Sequence, residues 1–176
     1  MYQNIFPNAK AYVKGSSKFP RINGIVTFKE TKDGVLVSAR INGLPQSPTN
    51  CTGRFFGFHI HEGSSCSGNA SDEFANAKAH LNPTNCPHPF HMGDLPPLLE
   101  NNGYAYMTVL VNKFRIQDIL GRVVIIHDHP DDFTTQPSGN SGTKIACGKI
   151  IPYFFVKFIK SMLFLTLSVI YLQSLR

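Results

Sequence analysis

The chain reads as all-β, and three observations carry that reading. Between residues 10 and 150, short runs rich in β-branched and aromatic residues alternate with glycine, proline and asparagine, which is how strands and turns punctuate a sequence. Several runs alternate from residue to residue. In VLVSARI, Val35, Val37, Ala39 and Ile41 share one face while Leu36, Ser38 and Arg40 share the other, the period of a half-buried strand. Composition is the third observation: 176 residues that are 42% hydrophobic suffice for one domain with a packed core and are too apolar for a disordered chain. A sandwich or flattened barrel follows.

The strands are expected in the order AKAYVKG, NGIVTFKE, VLVSARI, RFFGFHIHE, YAYMTVLV, GRVVIIHD and TKIACGKI. Turn chemistry separates them, as in Lys32-Asp33-Gly34 and Asn42-Gly43-Leu44-Pro45, where glycine and proline supply the backbone angles that a turn needs. There is no internal repeat and no low-complexity segment. Two strand-poor stretches, Gly63 to Asn102 and Asp128 to Gly142, exceed ordinary connections, and loops of that length are usually functional.

Four cysteines are too few for disulfides to replace a core. The net charge is +6, but Lys157, Lys160 and Arg176 fall in the last 25 residues, leaving the rest near +3. Such a mild, unclustered excess does not support nucleic-acid binding. The first 20 residues hold no apolar run of signal-peptide type, so a cytoplasmic location is the expectation. The other end differs. From Phe154 to Leu172, 14 of 19 residues are apolar, and as a helix they would extend about 28 Å, close to a bilayer core of about 30 Å. A membrane anchor and a packed terminal helix both fit this pattern.

All seven histidines lie between His59 and His129, which points to a metal site. His59 and His61 stand two apart in GFHIHE, so a strand presents both imidazoles on one face. In the first long stretch His80 is followed by His88, His91 and Asp94. Pro87, Pro89 and Gly93 discourage a regular helix there, leaving a loop wrapped around an ion. Three imidazole nitrogens and a carboxylate oxygen make a tetrahedral zinc shell. His127, at the end of VVIIH, can add an imidazole to the first pair.

These residues carry a resemblance to the copper/zinc superoxide dismutase family. The matching pieces are GFHIHE, AHLNP, PHPFHMGDL, GRVVIIHDHPDD and GNSGTKIACG, in the family's order over roughly residues 9 to 151. The resemblance implies an eight-stranded Greek-key flattened barrel over 1–151, with 152–176 as a hydrophobic, helical tail. It implies superoxide as substrate, disproportionated to oxygen and hydrogen peroxide by Cu(II)/Cu(I) cycling. Copper would be held by His59, His61, His80 and His127, with His80 shared and zinc completed by His88, His91 and Asp94. Asp131 would accept hydrogen bonds from His59 and His88. His129 has no role in the family, and the four-residue spacing to Asp131 favours His127 as the ligand. A Cys66–Cys147 disulfide is implied, braced by Arg122, while the pairing of Cys51 and Cys86 stays open. A homodimer is one option for the assembly.

Three departures matter. Lys144 stands where the family places a catalytic, anion-guiding arginine, and an ammonium lacks the two-pronged donor geometry of a guanidinium. The second loop, TTQPSGNSG, lacks the charged residues that assist steering, and Ser138 replaces a threonine of the channel. Lys144 and the short loop favour a rival reading, a copper/zinc buffer or delivery module with little turnover. The complete ligand set favours the enzyme. A third reading, a sandwich stabilised by zinc alone, leaves the copper histidines without a role.

Overall fold

The computed structural model describes residues 7–47 and 53–153. The expected tail helix from Phe154 onward and Cys51, whose pairing with Cys86 the sequence leaves open, lie outside the described residues. Among those described, no helix is long and apolar enough to cross a membrane.

Strands β1 (Ala9–Gly15), β2 (Asn23–Thr31) and β3 (Gly34–Asn42) form an antiparallel meander, with β2 and β3 paired from Asn23↔Asn42 to Thr31↔Gly34. The period-two pattern is realised as expected: Val35, Val37, Ala39 and Ile41 are all fully buried, and Ala9, Ala11, Val26 and Phe28 meet them in one core. The outer face keeps Tyr12 and Arg40 in solvent.

The run RFFGFHIHE does not form one strand. It splits into β4 (Phe55–Phe56) and β5 (Phe58–His61), and β4 pairs with β6 (Leu98–Leu99), a two-residue strand in the first long loop that periodicity could not reveal. Beyond β6 lie β7 (Tyr104–Val111), the one-turn helix α1 (Ile116–Ile119), β8 (Val123–His127) and β9 (Lys144–Pro152). The main sheet has seven antiparallel strands in the order β5-β8-β9-β1-β2-β3-β7, with β4 and β6 as a separate pair. The sheet is curled. Chain continuity places the small pair between the two edges, since β4 runs into β5 and β6 turns into β7. The flattened, curled β architecture is the expected one, and among the described residues its strands divide into seven in the main sheet and two in the small pair. Strand β9 runs to Pro152, which still pairs with Ala9, and Tyr153 N–H donates to Asn8 O at 2.9 Å. Proline is tolerated at such a strand end because no further ladder bond is asked of it.

Two features of the sheet position the site. The free edge of β5 is covered by the first long loop: Ile60 N–H donates to Gly93 O, and Leu81 N–H donates to Ile60 O, each at 2.9 Å. That contact brings His80 opposite His61 and Asp94 opposite His59. At the end of β8 the register slips, so that Ile126 pairs with Ala146 but His127 pairs with Lys144. A bulge re-aims the side chains beside it.

Candidate metal centre

Two groups of potential ligands meet at the β5 edge: His59, His61, His80 and His127, and then His80, His88, His91 and Asp94. Within each group the ligand atoms all lie within 4.8 Å of one another, and every one of these residues is buried. His80 belongs to both.

Hydrogen bonds around the groups set the tautomers of four rings, His59, His61, His88 and His127. Asp131 accepts from His59 Nε2–H at 2.7 Å through Oδ2 and from His88 Nε2–H at 2.8 Å through Oδ1. Both Nδ1 atoms are then bare lone pairs. His61 Nδ1–H donates to Lys78 O at 2.8 Å and His127 Nδ1–H to Gly142 O at 3.3 Å, which leaves their Nε2 atoms unprotonated. Those two nitrogens face each other at 3.2 Å. Two lone pairs at that distance repel unless a cation lies between them.

The second group shows the same deficit. His80 Nδ1 is 2.8 Å from Asp94 Oδ1, while His88 Nδ1 and His91 Nδ1 are 3.1 and 3.3 Å from Asp94 Oδ2 without hydrogen-bond geometry. Ligands held about 2.0 Å from a tetrahedral zinc ion stand about 3.3 Å from each other. In all, four buried ring nitrogens lack a hydrogen-bond partner: Nδ1 of His59, His88 and His91, and Nε2 of His80. Buried polar atoms are rarely left so, and here each faces a ligand group. The donor set therefore fits two metal ions. Imidazole suits both copper and zinc, and the carboxylate in the second group suits zinc.

Burial also keeps the rings in the ligand state. It lowers His59 to about 4, despite the opposing Asp131 carboxylate, and it lowers His127 to about 3, helped by His59. Burial and the charge of His127 hold His61 well below the ordinary imidazole range. For Asp94, burial opposes ionisation, but the hydrogen bond and charge of His80 outweigh it and keep the carboxylate ionised. Neutral imidazoles and an ionised carboxylate are what a metal ion requires.

The sequence model of the copper/zinc superoxide dismutases matches residues 22–150. The chain belongs to that family. A copper/zinc superoxide dismutase of Legionella pneumophila is 33% identical over 135 residues, covering 72% of this chain and 76% of the relative. The superoxide dismutase-like protein YojM of Bacillus subtilis is 34% identical over 145 residues, covering 73% and 69%. Among solved structures, the copper/zinc superoxide dismutase of Brucella abortus superposes with a TM-score of 0.67 at 26% identity, over 80% of this chain and 98% of that one. A superoxide dismutase-like protein from Bacillus subtilis gives 0.65 at 30% identity, over 79% and 95%.

Around this dismutase centre, a cavity of about 840 Å³ opens onto His61, His80, His91 and His127 and is walled by Asp72, Ser138 and Lys144 among others. Cys66 and Cys147 are bonded, and Arg122 donates to Glu62 O at the entry to the same loop. Cys86 is a free thiol. His129 is exposed and hydrogen-bonded to Asp128, away from both groups.

Three functional residues escaped the sequence reading. Asp72 accepts from Lys144 Nζ at 2.5 Å, so the cation expected to guide anions is already paired. Gln136 grips His88 twice, accepting from its N–H at 2.9 Å and donating to its carbonyl at 2.8 Å. Gly139 has φ +65, and a Cβ there would stand 2.0 Å from Asp131 Oδ1. None carried a local signal except the glycine, whose neighbours Ser138 and Asn140 marked a turn without showing what it packs on.

Proposed function

We propose that the four-imidazole group holds copper, that His80, His88, His91 and Asp94 hold zinc, and that the chain disproportionates superoxide at the copper. Two superoxide anions and two protons give one oxygen and one hydrogen peroxide. The observation that carries the reading is His80, a buried ring with one nitrogen in each ligand group and no carbonyl or carboxylate outside them to fix its tautomer.

Copper, when bound, supplies a one-electron couple that one superoxide reduces and the next reoxidises. The chain does the rest. His59, His61 and His127 hold their Nδ1 or Nε2 lone pairs toward one point because Asp131, Lys78 O and Gly142 O take the opposite N–H groups. His80 Nδ1 stands with Asp94 at 2.8 Å in the second group, so a proton that His80 takes up goes to Nε2, the ring nitrogen left without a hydrogen-bond partner. From there it can pass to the reduced oxygen species. Asp131 ties the two groups together, since one carboxylate orients a ring in each. Residues 1–151 are the proposed working domain, because every ligand and both bonded cysteines precede Pro152.

A mere metal holder needs no ring shared between two ions. Metal analysis beside a superoxide-consumption assay tests the proposal: one copper and one zinc per chain with catalytic consumption is the expected result. Two metals without consumption would return the chain to the buffer reading.

A further inference from the structure

Lys144 lines the same cavity as His61, His80 and His127, yet its ammonium is engaged. The partner, Asp72, is not a loose surface carboxylate. Its Oδ1 accepts Phe74 N–H at 2.9 Å, and its own N–H donates to Asn69 Oδ1 at 3.0 Å. The next residue, Glu73, accepts from Ser17 N–H at 2.9 Å and from the Ser17 hydroxyl at 2.8 Å. The Cys66–Cys147 bond ties this loop to β9, the strand on which Lys144 lies three residues before Cys147. Carboxylate and ammonium are thus brought together by a loop fixed at several points.

We propose that Asp72 controls anion entry by holding Lys144 in an ion pair at the cavity wall. The proposal rests on the dismutase reading above: an incoming superoxide meets a neutralised cation and must compete with the carboxylate for it. The pair is open to such competition, because the Lys144 side chain is 17% exposed and that of Asp72 38%. Partly solvated ion pairs hold only modest energy, so a small anion can displace the carboxylate. Asp72 acts through Lys144. It is a positioning residue, and its carboxylate makes the site less attractive to anions than the lysine alone would.

Azide, a small anion that binds copper, is the probe, and its charge-transfer band on the copper- and zinc-loaded full chain is the readout. Asp72→Asn keeps an oxygen to accept Phe74 N–H while removing the charge. Azide affinity should rise at least threefold at low salt. The gain should shrink as the Debye length falls from about 30 Å at 0.01 M to about 8 Å at 0.15 M, and kcat/KM for superoxide should rise in parallel. In a Lys144→Ala background the same substitution should gain less than half as much. Equal azide affinity in the unaltered and Asp72→Asn chains would overturn the proposal, as would an undiminished gain without Lys144. An unaltered chain that takes up copper and zinc but consumes no superoxide would instead overturn the dismutase reading.

Discussion

Asp131→Asn tests how one carboxylate serves two metal groups. Asp131 receives three donors: His88 Nε2–H and Phe133 N–H at Oδ1, 2.8 and 2.7 Å, and His59 Nε2–H at Oδ2, 2.7 Å. An asparagine amide offers one oxygen and one NH₂ in the same places. It can satisfy one imidazole, but it presents a donor to the other. That ring must protonate at Nδ1 instead, and an Nδ1–H cannot bind metal. Loss of an outer carboxylate of this kind costs about 10- to 100-fold in metal affinity, equivalent to about 1.4 to 2.8 kcal/mol. Competition titration with chelators of known affinity, for copper and zinc separately, reads the effect. At least one of the two affinities should fall by that factor. Unchanged affinity for both metals would refute the tautomer argument.

Four further outcomes follow from the same geometry. His61→Ala should remove most copper and turnover while zinc stays bound in a folded domain, because His61 belongs to one group only; metal analysis checks it, and retained copper contradicts it. Gly139→Ala should mimic Asp131→Asn, since its Cβ would meet Asp131 Oδ1 at 2.0 Å from a backbone at φ +65; the left-handed backbone adds about 1–2 kcal/mol of strain, and unchanged denaturation and metal affinity would count against it. Replacing Cys66 and Cys147 by serine opens a loop spanning 81 residues, for which chain entropy gives about 4 kcal/mol; urea denaturation showing less than about 1 kcal/mol would reject that account. The metal-free protein should lose stability as pH falls from about 7 toward 4. His59 at about 4 and His127 at about 3 stay neutral in the fold, whereas unfolded histidines take up protons below about 6.5, so stability changes by up to about 1.4 kcal/mol per pH unit for each. Denaturation midpoints that do not move between pH 7 and 4.5 would contradict the burial argument.

The long strands were legible because their period survives in the core: β3 buries Val35, Val37, Ala39 and Ile41 and no residue of the other set fully. Two-residue strands leave no period. Phe55–Phe56 and Leu98–Leu99 pair only because the sheet's edges bring them together. The histidine groups were legible as a cluster in sequence and, in their roles, through the family resemblance. The Asp72–Lys144 pair was not, since 72 positions separate its members and nothing local in either segment asks for the other. Register decides it: the slip at His127 sets Lys144 beside that histidine, and the disulfide draws the Asp72 loop onto the same strand.

The central claim is tested most directly by following superoxide decay in the presence of the purified, copper- and zinc-loaded chain. Uncatalysed disproportionation is second order in superoxide. The account predicts decay that is first order in superoxide and proportional to protein, and that disappears in the His61→Ala chain. Decay that stays second order, or that is the same with His61→Ala as with the unaltered chain, would contradict it.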